Sequence, residues 1–409
     1  MGQPAKRVIV VGAGPAGMRC AERLAQGGAA VTLLGAEPAH PYNRVALSSL
    51  LAGDLDEGGL VTHGADVLAG HGIDWRPGTR VAAIDRAAQA LTLQDGATLG
   101  YEALVLATGA QPARLGVPGA DLPHVLAYRT LEDVRGMIAR ARAGGPAVVV
   151  GGGLLGLEAA AGLAKRGMAV TVLHGNARLM DRQLDDGAAG LLRQRLVRQG
   201  IAVITNARTA AIEPGAVCLA DGTRVAAGMV VVAVGIRPEA ALGRAAGLAA
   251  NRGIVVDDAM RTSDPAIWAV GECNEHAGLC VGLVAPAFAQ AEVAAAAILG
   301  REARYVPVSD ATALKVAGAG VWSAGETDGD DPIVLDDPEA GQYRRLLLRG
   351  DRLVGAMLYG ETTDAPWYLG LIKQGQPIGA ERHALPFGPA FAPSLQITTA
   401  LQISAERTA

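Results

Sequence analysis

The sequence predicts an α/β protein: two doubly wound, parallel-sheet domains followed by a smaller C-terminal α+β domain. Three observations predict it. The stretch VIVVGAGPAGMRCAERLAQGGAAVTLLGAEP, from Val8, is repeated as AVVVGGGLLGLEAAAGLAKRGMAVTVLHGNA, from Ala147. Each copy opens on an apolar run, turns through glycines and enters an alanine-rich segment, the order of a βαβ unit. After Pro307 the pattern changes to short alternating segments split by Gly and Asp.

Length and composition bound the rest. A chain of 409 residues, half of them apolar, is expected to hold two or three domains. A formal net charge of −4 gives no basic surplus for nucleic acid or an anionic membrane. Aromatic residues make up 3%, too few for extended base-stacking platforms. Four scattered cysteines do not form a secreted disulfide framework. The N-terminus runs straight into a strand without a signal core, and Lys6 stands where a myristoylation signal needs Ser or Thr. No apolar run reaches membrane-spanning length. The chain reads as cytoplasmic, and a homodimer is one assembly this reading allows.

Each repeat carries G-x-G-x-x-G: Gly12, Gly14 and Gly17, then Gly151, Gly153 and Gly156. The first Gly makes the tight turn, the second lets the backbone approach a pyrophosphate, and the third lets helix and strand pack closely. The helix that follows offers free N–H groups and a partial positive charge to phosphate. Pro15 and Ala16 in the first copy, and Leu154 and Leu155 in the second, fall in that first turn. One fingerprint in a glycine-rich chain is a weak signal. Two in full βαβ context point to two Rossmann-like dinucleotide-binding domains, and the usual pairing is FAD with NAD(P)H.

Further segments fit that pairing. LVLATGAQPARLGVPG, with Ala107, Thr108 and Gly109, reads as the strand and turn leaving a flavin domain. VVVAVGIRPE, with Gly235, reads as the return strand of a nicotinamide domain. TSDPAIWAVGECNEH reads as a second flavin contact, in which Gly271 presents Glu272 to the ribityl hydroxyls. A helix starting near Pro286, preceded by Val284 and Ala285, would aim its positive end at the N1–C2 side of the ring and favour the anionic reduced flavin. Glu37, just past the second strand, is placed to hold the adenosine ribose, with an exposed turn residue as the alternative. Arg44 faces either the flavin or its pyrophosphate.

These motifs resemble the FAD-dependent pyridine nucleotide-disulfide oxidoreductase superfamily. Within it, PYNRVALSSLLAG, GECNEHAGLCVGLVAPAFAQA, LMDRQLD (Leu179 to Asp185), ALKVAGAGVWSAGE and LRGDRLVGAMLYGETTDAP resemble the FAD/NAD(P)H portion of the assimilatory nitrite reductase large subunit, or a stand-alone electron-transfer subunit of assimilatory nitrate reductase. Members that reduce nitrite continue into iron–sulfur and sirohaem segments. This sequence ends at Ala409 with no Cys after Cys280, so the resemblance implies the reductase module without nitrite reduction of its own. The implied acceptor is an iron–sulfur protein or a nitrate/nitrite reductase subunit.

Individual residues refine this. Relatives that reduce disulfides place cysteine pairs after the first helix or as C-x-x-C, and neither pattern occurs here. Cys273, His276 and Cys280 offer three ligands at best, so no metal site is expected. Cys20 and Cys218 read as small apolar residues on a helix and a strand. Ferredoxin-type relatives carry a lysine near flavin N5 where this chain has Ser48, Ser49 and Leu50. By resemblance Glu158 orients the nicotinamide, with a polar residue at the core edge as the alternative. The second strand ends in His174 and Asn176, with Arg178 beyond, and no acid. The resemblance favours NADH, and the residues alone leave NADPH open. Trp322 and Trp367 read as core residues more than as flavin covers.

The expected domains are an FAD domain from 1–112 and 244–308, an NAD(P)H domain from 113–243, a C-terminal α+β domain over 309–390 and a tail over 391–409. The implied reaction moves a hydride from NAD(P)H to FAD, then single electrons to the acceptor. The rival readings are an NADH oxidase using oxygen, a ferredoxin- or rubredoxin-type reductase serving another oxidoreductase, and a non-catalytic redox sensor.

Overall fold

The computed structural model describes residues 5–307, 311–327 and 329–397, and of Val316 the backbone alone. The described residues form two compact units. One takes them from Met1–Ala113, Arg129–Gly136 and Gly235–Val308; the other takes Arg114–Tyr128, Met137–Val234 and Ser309–Ala409.

The first unit is built on a five-stranded parallel sheet. Its strand order is Ile267–Ala269, Ala103–Leu106, Arg7–Val11, Ala30–Leu34 and Ile73–Arg76. The middle strand pairs Val8 with Val31 on one side and Ala103 on the other. A strand flanked on both sides and covered on both faces should read as a continuous apolar run, and Val8 to Val11 are all buried. Helix Pro15–Gln26 packs against helix Val284–Ile298. Their buried residues include many small ones: Ala16, Gly17, Cys20 and Ala21 on one helix, Ala287, Ala291, Ala294 and Ala295 on the other. Arg23 pairs with Glu292 at 2.7 Å beside that seam. A three-stranded antiparallel sheet (Val81–Asp85, Ala90–Leu93, Thr98–Gly100) adds Leu91 and Leu93 to the same core.

The second unit repeats the plan. Its parallel sheet runs Ala202–Ile204, Ala169–Leu173, Pro146–Val150, Met229–Val232 and Val125–Ala127, with helices Leu154–Lys165 and Asp186–Arg198. It too carries a three-stranded antiparallel sheet, Thr209–Glu213, Gly215–Leu219 and Arg224–Ala227. Residues 235–243, expected with the inserted segment, lie in the first unit instead. There Ile236–Pro238 pairs antiparallel with Ala110–Pro112.

The C-terminal segment belongs to the second unit. Its antiparallel sheet has the order Thr312–Val316, Ala319–Gly325, Arg352–Gly360, Gln342–Arg349, Asp331–Asp337, and helix Ala365–Gln374 packs on it. The Arg195 Nε and Gln199 Nε2 donate to the Ala317 carbonyl at 2.8 and 2.9 Å, and the Tyr343 hydroxyl donates to Asp185 at 2.6 Å. Trp322 and Trp367 are both buried in the core of this sheet and helix, and the Trp367 indole donates to the Leu395 carbonyl at 3.0 Å. Of the expected tail, residues 391–397 are irregular and 398–409 lie outside the described residues. Among the described residues no helix is long and apolar enough to cross a membrane.

Candidate functional site

The first glycine cradle sits where the central strand Arg7–Val11 feeds helix Pro15–Gln26. A Cβ built on Gly12 would lie 2.1 Å from the Ala107 carbonyl oxygen, and one on Gly17 would lie 1.8 Å from the Gly12 carbonyl oxygen. Both positions accept nothing larger than glycine, for the packing reasons its spacing implies. Gly14 differs: a Cβ there meets nothing within 4 Å. It is also the residue before the helix, and no side chain caps the N–H groups it leaves open. Free backbone donors beside open space suit a pyrophosphate. Pro15 and Ala16 form the first helical turn, and Ala16 packs under Gly271.

Around this cradle the first unit gathers most of the residues expected to hold FAD. Glu37 lies beyond strand Ala30–Leu34. Its carboxylate accepts from the Tyr42 hydroxyl and from Arg44, each at 2.8 Å. Arg44 also donates to the Arg129 carbonyl at 2.9 Å, so it orients the acid and anchors a neighbouring turn. Thr108 donates to the Glu239 carbonyl at 2.7 Å, which fixes the Ala107–Gly109 turn. Glu272 follows strand Ile267–Ala269 in a short 3-10 turn with Gly271. The helix expected near Pro286 begins two residues earlier, at Val284. Its residue before the helix, Leu283, provides no side-chain cap.

One residue of this site escaped the sequence reading. Arg129 makes a two-pronged ion pair with Glu272, and its Nε is buried without a hydrogen-bond partner among the described residues. A guanidinium fork matches a carboxylate in this way. The AYRTLED stretch carries no motif spacing to announce it. A clue would have been Asp133, which accepts from the Arg129 and Thr130 amides and so fixes the turn.

The second cradle has the same construction. A Cβ on Gly151 would lie 2.2 Å from the Ala233 carbonyl oxygen, and one on Gly156 would lie 1.9 Å from the Gly151 carbonyl oxygen. Gly153 again faces open space before an uncapped helix, Leu154–Lys165. Leu154 and Leu155 form its first turn, with Leu155 exposed. His174 stands directly after strand Ala169–Leu173, where its Nδ1 accepts from the Gly152 amide at 3.1 Å. That bond fixes the tautomer with the proton on Nε2, and Nε2 is buried without a hydrogen-bond partner among the described residues. Gly235 falls in the first unit, beyond the return strand Met229–Val232.

Glu158 lies one turn into this second helix. Burial alone pushes its carboxyl up to about 7. The sign follows by linkage. The folded chain holds a proton there that the unfolded chain releases near pH 4.5, so stability falls as pH rises from about 4.5 through 7. Glu158→Gln is expected to remove that fall, raising the thermal midpoint at pH 8 but not at pH 4. The difference corresponds to on the order of 1–3 kcal/mol. Parallel melting curves at both pH values check it. An equal shift at both would show that burial of the charge is not the cause.

The remaining polar residues of the Thr262–His276 stretch, and the other cysteines, are structural. His276 is buried, with its Nε2 2.8 Å from Asp258 and its ring edge-on to Tyr305. Cys273 is buried beside the Leu106 carbonyl, and burial pushes its thiol upward. Cys20 is buried in helix Pro15–Gln26, and Cys218 lies on strand Gly215–Leu219. All four cysteines are free, and among the described residues no cluster of His, Cys, Asp or Glu could hold a metal.

Comparison with known proteins adds the following. The sequence model of the pyridine nucleotide-disulphide oxidoreductase family matches residues 6–297, and that of the rubredoxin NAD+ reductase C-terminal domain matches residues 311–376. The chain is 38% identical over 381 residues to an assimilatory nitrate reductase electron transfer subunit of Bacillus subtilis (strain 168), covering 90% of this chain and 49% of that protein. It is 38% identical over 380 residues to a nitrite reductase (NAD(P)H) of the same organism, covering 90% and 47%. The chain thus spans about half the length of these curated relatives. Among solved structures, putidaredoxin reductase in its covalent complex with putidaredoxin superposes with a TM-score of 0.85 at 29% identity, covering 95% of this chain and 99% of that one.

Proposed function

The chain belongs to the pyridine nucleotide-disulphide oxidoreductase family, and from that premise we propose that it carries electrons from NADH through FAD to an iron–sulfur acceptor of nitrate or nitrite assimilation. At the coarser level it is an NAD(P)H-dependent flavoprotein oxidoreductase. The observation that carries the reading is the pair of cradles, identical in the clashes that Gly12 and Gly17, and Gly151 and Gly156, would suffer and in the open faces of Gly14 and Gly153. Bound FAD supplies the chemistry of taking a hydride and returning its electrons singly.

The chain's own residues bind and orient. The open amides after Gly14 hold the flavin's pyrophosphate, and Glu37, steadied by Tyr42 and Arg44, takes the adenosine ribose. Glu272 accepts from the ribityl hydroxyls, with Arg129 fixing its carboxylate plane. The uncapped start of Val284–Ile298 offers partial positive charge toward the ring. Gly153 and the helix after it hold the nicotinamide dinucleotide's pyrophosphate. Glu158, with its carboxyl near 7, orients the nicotinamide. Fixing the orientation of each bound dinucleotide on its own cradle supplies much of the rate, because positioning replaces random encounters.

The names of the two Bacillus relatives support the nitrogen-assimilation acceptor, and the free, unpaired cysteines argue for an exit by single electrons. A second reading, a ferredoxin-type reductase serving another oxidoreductase, is favoured by the match to putidaredoxin reductase over nearly that whole chain. Anaerobic turnover with purified nitrate reductase catalytic subunit, and separately with a [2Fe–2S] ferredoxin, distinguishes the two. The first reading expects faster reduction of the nitrate reductase partner, with two one-electron equivalents delivered per NADH. Equal or faster transfer to the ferredoxin favours the second. Rapid oxygen consumption without either partner would contradict both.

A further inference from the structure

The second strand of the nicotinamide cradle ends without an acid, yet an acid stands beside it in space. Aligned by sequence, the repeats put Asn176 where the first copy has Glu37, each the third residue after its strand. The Asn176 side-chain amide donates to the Asp181 carboxylate at 2.6 Å, and the other Asp181 oxygen lies 3.7 Å from His174 Nε2. Asp181 comes from the Leu179–Asp185 segment, which the reductase reading leaves without a role.

That segment is fastened to the glycine loop. The Met180 amide donates to the Gly152 carbonyl at 2.9 Å, while the Gly152 amide donates to His174. Leu179 and Met180 are both buried, and the Leu179 side chain fills the space a Cβ on Gly152 would need. Met180 has φ +50°, a conformation that a side chain as bulky as methionine seldom adopts. Such strain persists where surrounding contacts over-determine it, and it clusters at ligand clamps. Here it turns the next residue, Asp181, toward the strand end. Asp181 remains partly exposed, with 34% of its side chain accessible.

We infer that Asp181 is the specificity-determining acid of the second cradle, accepting from the ribose 2′-hydroxyl of NADH and repelling the 2′-phosphate of NADPH. The inference rests on the reading that this cradle takes a nicotinamide dinucleotide. A free hydroxyl can donate to the carboxylate, whereas a phosphate brings like charge against it. The nearby cation Arg178 is already engaged, donating to the Asp186 carboxylate at 3.2 Å and to the Asp181 backbone carbonyl at 3.4 Å. Arg182, the residue after Asp181, is exposed.

Calorimetric titration of the flavin-loaded full chain with NAD+ and with NADP+ tests this without turnover. The parent is expected to bind NAD+ at least ~10-fold more tightly than NADP+. Asp181→Asn is expected to weaken NAD+ roughly 10-fold and leave NADP+ unchanged or tighter, closing the gap. Asp181→Ser, which cannot keep the Asn176 bond at the same reach, should close it equally if charge is the cause. An unchanged ratio in both variants, or a parent that prefers NADP+, overturns the role of Asp181 alone. Failure of the parent to bind either dinucleotide overturns the nicotinamide reading beneath it.

Discussion

A Gly14→Val chain is expected to fold and to purify without colour. Its new side chain meets no protein atom within 4 Å of the Cβ, and the backbone at Gly14, φ −72°, suits any residue. The loss should therefore fall on the ligand. Two methyl groups would stand in the open face of the cradle, against the free amides that a pyrophosphate needs. Affinity for FAD should drop by at least ~100-fold, about 2.7 kcal/mol. The loss of flavin, measured as bound FAD per chain, should come with an unchanged far-UV dichroism spectrum. The contrast with Gly17 sharpens the test. A Cβ at Gly17 would collide with the Gly12 carbonyl, so Gly17→Val should lose folded protein as well as flavin. If Gly14→Val retains full flavin content, the cradle does not hold the pyrophosphate.

The mirror-image change separates the two sites. Gly153 also faces open space, with φ −87°, so Gly153→Val should leave the protein folded and yellow. Reduction of that flavin by NADH should nevertheless slow by ~100-fold or more at limiting NADH, through weaker binding of the donor. Reduction by dithionite, which needs no nicotinamide site, should proceed normally. Both rates come from one anaerobic stopped-flow series. A variant that stays yellow and reacts with NADH like the parent would remove the second cradle from the account.

What could be read from sequence follows from the range of each interaction. The glycine spacings were legible because the clashes at Gly12, Gly17, Gly151 and Gly156 are with backbone a few residues away or just past the end of the adjoining strand. The βαβ order was legible because a fully buried strand such as Val8 to Val11 has no polar side to interrupt it. The two small antiparallel sheets were not. Strand Val81–Asp85 is half-buried only at Val81 and Ile84 and exposed at Ala82, Ala83 and Asp85, so it shows no alternation. Edge strand Asp331–Asp337 was hidden for a related reason, since its charged ends and Pro332 read as a turn. The helix boundary at Val284 was misplaced by two residues because Pro286 suggested the first helical position.

Partners distant along the chain were the other gap. The Arg129 to Glu272 pair joins residues 143 positions apart, and nothing local to either marks the other. The same holds for Asp181. The strand end at His174 and Asn176 looked devoid of acid because the acid arrives from the following loop, through a strained Met180 that no pattern of residue types reveals. Glu158 was legible as a position, while its elevated carboxyl follows from burial that only the packed helix creates.

The most direct test of the whole account is an anaerobic mixing experiment on the purified chain supplied with FAD. The chain should hold FAD tightly enough to survive gel filtration as a yellow protein. Addition of stoichiometric NADH should bleach its visible flavin band within seconds. A chain that emerges colourless, or one that stays yellow in excess NADH, would contradict the assignment of these two glycine cradles to a resident acceptor and a visiting donor.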